Sequence, residues 1–236
     1  MLILYYIYFF LIACPLLLIA TILTSLVTII GCSIGNGSFW GYYPAHIWSK
    51  LFALLSLVRV KVNGRENIDE KTSYVFVANH QGAYDIFAIY GYLGHKFLWM
   101  MKRSLKKIFL VGYACDRAGH IFVDKSSPAA VKATIDNASE RLRHGVSLVV
   151  FPEGSRTPDG QLKPFKKGAY QLALQFNLPL VPITIAGSYD VMPKSAKLPR
   201  PGKIVLTIHR PIEAPHDEAS RDAAMQQTRD AIQRRL

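Results

Sequence analysis

The chain begins with a long apolar stretch. Residues 2–30 carry no charge, and residues 1–49 contain no Lys, Arg, Asp or Glu. Because a spanning helix needs about 20 apolar residues, this stretch is long enough to cross a bilayer with a tilt, or with a kink at Pro15. It lacks the basic start and the short apolar region of a secretory signal. We predict a retained membrane helix, spanning or re-entrant; the alternative is an unusually apolar core helix.

A second apolar stretch, residues 39–60, follows a turn at residues 35–37 and is rich in Trp and Tyr. Aromatic residues of this kind prefer the headgroup level of a bilayer. We therefore predict an interfacial or partly re-entrant helix, and a core helix is an equal alternative. Lys50, Arg59 and Lys61 follow the first apolar stretch and no basic residue precedes it, so the positive-inside rule places the rest of the chain in the cytoplasm.

From Val58 onward the pattern changes to short β-rich runs separated by helical ones. The runs that read as buried strands are residues 74–78, 97–101, 121–123, 147–151, 180–185 and 204–208. The helical stretches include residues 128–144, 168–176 and 217–236. This alternation predicts an α/β fold, a layered and largely parallel sheet flanked by helices. We divide the chain into a membrane anchor at 1–60 and an α/β domain at 61–236.

The first candidate site directly follows the strand at 74–78. Asn79, His80 and Asp85 lie there, and ligands in open α/β sheets gather beyond the carboxyl ends of strands. An imidazole takes a proton from a hydroxyl best when a carboxylate holds its other nitrogen. Asp85 meets this need if the chain turns into a helix between the two residues. The alternative is a surface His beside a helix-capping Asp.

The second candidate site follows the strand at 147–151. It contains Glu153, Gly154, Ser155 and Arg156. Gly154 lets the backbone approach a ligand closely, and the planar guanidinium of Arg156 suits a phosphate. A turn with a surface Arg is the alternative. Ser155 lacks the G-x-S-x-G elbow of a hydrolase nucleophile, which disfavours a lipid hydrolase.

Taken together, in this order and behind an apolar leader, these motifs resemble the lysophospholipid acyltransferase family. The blocks of that family are N-H-x-x-x-x-D, G-x-[IF]-F-[IV]-[DE]-R, F-P-E-G-[ST]-R and V-P-[IV], and they match residues 79–85, 119–125, 151–156 and 181–183. The departure is Lys125, where the family usually has Arg. Lys keeps the charge and loses the bidentate geometry.

The resemblance implies the family's glycerolipid-acyltransferase-like fold and its reaction. It is strongest to members that move an acyl group from a thioester to the sn-2 hydroxyl of lysophosphatidic acid, which gives phosphatidic acid. The implied co-substrate is acyl-CoA or an acyl carrier protein thioester. Because the thioester is already activated, we expect no cofactor, no metal and no covalent enzyme intermediate.

The same resemblance implies roles for individual residues. His80 would be the general base and Asp85 its orienting partner. Arg156 and Lys125 would hold the phosphate, with Lys102 after the strand at 97–101 as a further candidate. The remaining residues of the third block would shape the substrate pocket; these are Glu153, Gly154 and Ser155.

Charge narrows the choice of partners. Lys and Arg number 28 against 16 Asp and Glu, a formal net charge of +12. The excess suits anionic membrane phospholipids or an acidic donor, whether coenzyme A or acyl carrier protein, unless it is merely a solvated face. Nucleic acid is disfavoured because no recognition module is visible. Three Cys residues rule out a disulfide scaffold and fit a reducing compartment. We expect a cytoplasmic-side membrane protein, as on the bacterial inner membrane.

Two other functions are left open by the sequence. One is acylation of another lysophospholipid or of an aminolipid, because the blocks fix the chemistry better than the acceptor. The other is a noncatalytic lipid-binding protein that keeps the fold. The intact His80 and Asp85 argue against the second, since a tether has no need of a base.

Overall fold

The computed structural model describes residues 2–124, 126–127, 129–130, 133–134, 138 and 146–236. Lys125 and most of the predicted helix at 128–144 lie outside these residues. The structure has two parts in close contact, a helical leader and a sheet covered by helices on both faces.

The leader consists of α1 (Leu2–Tyr8), a π-helical turn (Phe9–Ala13), α2 (Cys14–Ile34), α3 (Gly37–Trp40) and α4 (Tyr43–Leu55). The first three run on as one helix of 33 residues with a mean hydropathy of 2.5, which is long and apolar enough to cross a membrane. Only 17% of its most apolar window is buried. A core helix would be mostly buried, so this low burial argues against the core-helix alternative.

The prediction of a second helix over residues 39–60 is wrong beyond Leu55, because α4 ends there. Residues 58–63 form a strand instead, with its more buried valines alternating with exposed polar residues. That period of two is the strand pattern, and Leu57 breaks the helix with a left-handed φ of 55°. One face of α4 packs against the sheet domain and places Ala53 in its core, so α4 is in part a core helix.

The strands are β1 (Val58–Asn63), β2 (Val75–Ala78), β3 (Phe97–Lys102), β4 (Ile121–Val123), β5 (Ser147–Val150), β6 (Leu180–Ala186) and β7 (Gly202–Ile208). In the described part of the chain they form one seven-stranded sheet in the order β1-β7-β6-β2-β5-β3-β4. Each neighbouring pair is parallel except β6 and β7. The predicted largely parallel α/β sheet is therefore confirmed.

The helices of the body are α5 (Asp85–Tyr92), α6 (Val111–Arg117), α7 (Gly168–Phe176), α8 (Ser188–Val191) and α9 (Glu218–Gln233). Alternate residues of β2 show how the layers stack. Phe76 and Ala78 lie in the core cluster under α4 and α5, whereas Val75 and Val77 lie in the cluster under α7 and α9. The sheet is thus buried on both faces, as a parallel sheet requires.

The strand order decides where polar residues meet. β2, β5, β3 and β4 are adjacent and parallel, so their carboxyl ends share one edge of the sheet. The chain leaves β2 at Asn79 and leaves β5 at Phe151. The two predicted motifs therefore emerge side by side.

Candidate active site

A histidine and a carboxylate meet at the carboxyl end of β2. His80 Nδ1 lies 2.8 Å from Asp85 Oδ2, and Asp85 is fully buried while the His80 side chain is 15% exposed. The chain reverses between them and enters α5 at Asp85. Asn79 fixes the start of this loop through two hydrogen bonds with the backbone of Ile185 in β6, at 2.7 and 2.9 Å. The structure thus brings together the base and carboxylate named from the sequence.

The Asp85 carboxylate has a full set of donors. Oδ2 also accepts the backbone N–H groups of Gln81 at 2.7 Å and Gly82 at 3.0 Å. Oδ1 accepts the hydroxyl of Ser188, the first residue of α8. Such donors compensate for the burial of a carboxylate, and the start of α5 adds a favourable dipole. Asp85 is therefore held in one orientation, with its charge directed at His80.

The His80 ring is fixed by an aromatic stack. It lies parallel to Phe151, with centroids 4.0 Å apart and an angle of 11° between the planes, and Trp99 stacks on the other side of Phe151 at 5.4 Å. Donation of Nδ1–H to Asp85 leaves the lone pair on Nε2. Within the described ranges Nε2 has no hydrogen-bond partner, so it is the nitrogen open to a substrate.

Glu153 ties the two motifs together. Its Oε1 accepts the backbone N–H of His80 at 2.7 Å, and its Oε2 accepts the backbone N–H of Lys163 at 3.0 Å. Burial raises the pKa of the carboxyl, and these two hydrogen bonds oppose that shift. From the sequence we expected Glu153 to shape the substrate pocket. In the structure its oxygens hold the backbone of the His80 loop.

Gly154 and Ser155 form the turn after Glu153. Gly154 has a φ of 76°, a left-handed conformation that suits glycine, and its N–H donates to the carbonyl of Phe151 at 3.0 Å. The Ser155 hydroxyl accepts a hydrogen bond of 2.7 Å from Lys163 Nζ. No described histidine or carboxylate contacts that hydroxyl, so Ser155 lacks the base that a serine nucleophile requires.

The three cations that the sequence suggests for phosphate binding, Arg156, Lys102 and Lys125, lie at different positions in the fold. Arg156 is partly exposed and forms no ion pair with a described residue, and the next residue, Thr157, donates its N–H to the carbonyl of His80 at 2.9 Å. The backbone at Arg156 therefore lies beside the His80 loop, and the guanidinium of Arg156 is unpaired among the described residues. Lys102 is the last residue of β3, at the same carboxyl edge of the sheet as His80. Because β3 is two strands from β2, the backbone of Lys102 lies about 10 Å from the end of β2. Lys125 lies outside the described residues.

The sequence reasoning missed Ser188 and Lys163. Ser188 lies 103 residues after Asp85, so no local spacing connects them. One signal was available: Ser188 follows the end of β6, a parallel neighbour of β2. A hydroxyl at that place belongs to the same edge of the sheet. Lys163 follows a loop with no pattern of its own, and no signal marks it.

An apolar cavity lies between the leader and the sheet. Its volume is about 220 Å³, and its walls include Trp48, Trp99, Met101, Ile108 and Ala114. Trp99 also belongs to the aromatic stack beneath His80, which connects the cavity to the base. The cavity forms between segments that are distant in sequence, so no sequence pattern indicates it. Among the described residues no group of three or more His, Cys, Asp and Glu side chains is placed to hold a metal ion.

Comparisons with known proteins indicate the family of the chain. Residues 59–186 match the family model described as Acyltransferase. The chain is 32% identical over 172 residues to the chloroplastic 1-acyl-sn-glycerol-3-phosphate acyltransferase BAT2 of Brassica napus, covering 71% of this chain and 50% of that protein. It is 32% identical over 157 residues to the 1-acyl-sn-glycerol-3-phosphate acyltransferase alpha of Mus musculus, covering 66% of this chain and 55% of that one.

A solved structure is similar over almost the whole chain. The crystal structure of the 1-acyl-sn-glycerophosphate (LPA) acyltransferase PlsC from Thermotoga maritima aligns with a TM-score of 0.80 and 27% identity. The alignment covers 99% of this chain and 95% of that one, so it includes the leader. The chain spans about half the length of the curated relatives that it matches. The family model covers more than half of the chain and fits the predicted blocks, and the protein therefore belongs to the acyltransferase family.

Proposed function

We propose that the protein transfers an acyl group from a thioester to the sn-2 hydroxyl of 1-acyl-sn-glycerol 3-phosphate and so forms phosphatidic acid. The observation that carries this proposal is the His80–Asp85 pair with its open Nε2, next to a loop whose Arg156 is unpaired among the described residues. The names of the similar plant, mouse and bacterial proteins support the choice of acceptor.

The proposed chemistry is general base catalysis. The acceptor hydroxyl gives its proton to His80 Nε2 as its oxygen attacks the thioester carbonyl, and Asp85 stabilises the imidazolium that forms. When the tetrahedral intermediate collapses, the C–S bond breaks and the leaving thiolate takes the proton back. A positioned base of this kind contributes about 10²–10⁴ in rate. No cofactor enters, because the thioester carries the activation.

The phosphate and the acyl chains of the proposed substrates need separate binding sites, one basic and one apolar. Arg156 is our candidate for the acceptor phosphate because its guanidinium is unpaired among the described residues and its neighbour Thr157 is hydrogen-bonded to the backbone of His80. Lys125, which follows β4, and Lys102 are further candidates for phosphate binding. The apolar cavity behind Trp99 suits a hydrocarbon chain, since its walls are almost entirely apolar.

The apolar leader supports a membrane location for the proposed reaction. We propose that the apolar helix Leu2–Ile34 anchors the protein in a membrane, with the sheet domain at the cytoplasmic side as on a bacterial inner membrane. A lysophospholipid acceptor resides in such a membrane. A donor on acyl-CoA or acyl carrier protein is acidic and would meet a domain that carries the basic excess of the chain.

The test is an acyl-transfer assay on the purified chain in lipid. Lysophosphatidic acid and other lysolipids are each combined with acyl-CoA and with acyl carrier protein donors. We expect phosphatidic acid from the wild type and a loss of about 10²-fold or more in His80→Ala. His216→Ala is the matched control, because His216 is an exposed histidine before α9. If His80→Ala were as active as the wild type, the proposed mechanism would be wrong. If only another lysolipid gave product, the proposed acceptor would be wrong.

A further inference from the structure

A basic and apolar segment, residues 102–113, connects β3 to α6. It carries four cations and no carboxylate, and it includes a 3₁₀ helix (Arg103–Lys107) followed by a tight turn. The function proposed above gives no task to most of it. Its composition combines basic and apolar side chains, as surfaces that bind anionic membranes do.

Several apolar side chains of the segment are exposed. Phe109 is 86% exposed, Tyr113 is 53% exposed and Ile108 is 48% exposed. Leu110 has a left-handed φ of 57°, and the N–H of Val111 donates to the carbonyl of Phe109. A leucine in that conformation is strained, and the fold keeps it in a turn that presents Phe109 to the surroundings. An adjacent group of exposed large apolar residues marks a contact surface.

The cations of the segment are only partly neutralised. Arg103 pairs with Asp124, and Lys106 pairs with Asp116 at 3.1 Å. Lys107 has no carboxylate partner among the described residues, and its side chain is exposed. The surface around Phe109 therefore keeps a positive charge, which complements an anionic surface.

The segment lies against the leader. Ile108 and Val111 line the same cavity as Thr21 of α2, and Arg117 at the end of α6 donates to the hydroxyl of Ser33 at 2.6 Å. α6 packs along α2. The exposed apolar side chains of the leader and those of residues 108–113 therefore belong to adjoining parts of one surface.

We propose that residues 102–113 form a second membrane contact, in which Phe109 and Ile108 enter an anionic bilayer while Lys107 binds headgroup phosphates. The proposal rests on the membrane attachment proposed above. An acidic carrier protein would also be attracted by the cations. The exposed Phe109 and the adjoining leader favour the bilayer. The contact would hold the carboxyl end of β3, and with it the edge that carries His80, at the lipid surface.

The first experiment places an environment-sensitive fluorophore at position 109 of the full chain. Phe109→Cys is made after Cys14, Cys32 and Cys115 are replaced by Ala, and the labelled protein is reconstituted in nanodiscs of phosphatidylglycerol or phosphatidylcholine. Lys71→Cys is the control, because Lys71 is exposed and precedes β2 at the opposite edge of the sheet.

We expect a blue-shifted emission at position 109 in the anionic discs, with quenching by brominated lipid, and a water-like emission at position 71 in both discs. Water-like emission at both positions would overturn the contact. A label that responds to added acyl carrier protein and not to lipid would overturn it as well, because the surface would then bind a protein. The fluorescence measurement does not depend on catalysis, so it tests the membrane contact even if no phosphatidic acid forms.

The second experiment needs no cysteine replacement. Lys107→Glu is compared with Lys71→Glu for phosphatidic acid formation in phosphatidylglycerol bilayers and in neutral detergent micelles. One cation near an anionic surface is worth about a fivefold change in binding, and charge reversal doubles the change in charge. We expect Lys107→Glu to lose at least about fivefold in bilayers and nothing in micelles. An equal loss of activity in both variants in bilayers would contradict the proposed membrane contact. Activity of both variants in micelles would show that the proposed acyltransferase function is still correct.

Discussion

At the scale of the residue, the carboxylate that we propose to orient the base depends on a distant hydroxyl. Asp85 Oδ2 faces His80 and two backbone N–H groups, and its Oδ1 is held by Ser188. Both side chains of that last contact are fully buried. Without the hydroxyl, Asp85 keeps its charge and loses one of the donors that orient it. We therefore propose Ser188 as a positioning residue that acts through Asp85 on His80.

Ser188→Ala tests this role. A hydrogen bond to a charged group is worth about 1.5–3 kcal/mol, so we expect kcat to fall about tenfold or more while the KM for both substrates stays near that of the wild type. Ser188→Thr keeps the hydroxyl and should restore most of the rate. Ser195→Ala, at an exposed serine seven positions on, is the matched control. A change confined to KM would contradict the positioning role.

Arg156→Ala tests phosphate binding. The guanidinium is unpaired among the described residues, so its removal leaves no buried carboxylate without a partner and the fold should persist. We expect the KM for lysophosphatidic acid to rise about tenfold or more and the KM for the donor to stay constant. Arg200→Ala, at an exposed arginine outside the site, provides the comparison. An unaltered acceptor KM would place the phosphate elsewhere.

At the scale of the element, the sequence predicts the sheet well and its boundaries less well. The predicted runs coincide with β2 to β7, because buried parallel strands are short aliphatic runs bounded by turns. β1 was missed because its valines continue directly from the apolar leader. The His80 and Glu153 loops were found because both follow strands. Ser188 and the cavity were not, because each depends on contacts between segments that are far apart in the chain.

The cavity yields a prediction for α6. Ala114 is buried and lines the wall, so Ala114→Leu removes space that we assign to a hydrocarbon chain. In competition assays with mixed chain lengths, we expect the product to shift to shorter chains derived from the donor or the acceptor. Ala223→Leu makes the same change at an exposed position of α9 and should leave the product unchanged. Identical product profiles for the two variants would show that the cavity holds no chain.

At the scale of the whole molecule, the leader and the sheet domain are joined by more than a linker. α2 packs on α4 and α6, and α4 contributes to the core under the sheet. The continuous helix Leu2–Ile34 is about 50 Å long, longer than the hydrocarbon region of a bilayer, which is about 30 Å. The helix therefore has length to spare, whether it spans with a tilt or extends beyond the lipid.

Deletion of residues 1–38 tests the anchor. We expect the full chain to stay in the membrane fraction after washing with high salt. The shortened chain should lose most of its binding and should leave the membrane in high salt, because any attachment through residues 102–113 is largely electrostatic. Equal retention of both chains after the wash would place the anchor in α4 or in the sheet domain. Sedimentation in the absence of lipid provides the control for aggregation.

The sheet order also determines when the proposed site becomes complete during synthesis. β1 pairs with β7, the last of the seven described strands in chain order, and Asp85 waits for Ser188, which is translated 103 residues later. Pairings between such distant segments form late and slowly. The leader is translated before the sheet domain, so it can meet a membrane while the carboxyl edge of the sheet is still unfinished. Under the proposed anchor and mechanism, a nascent chain attaches before it is competent, and a protein interrupted before Ser188 remains on the membrane as an inactive fragment.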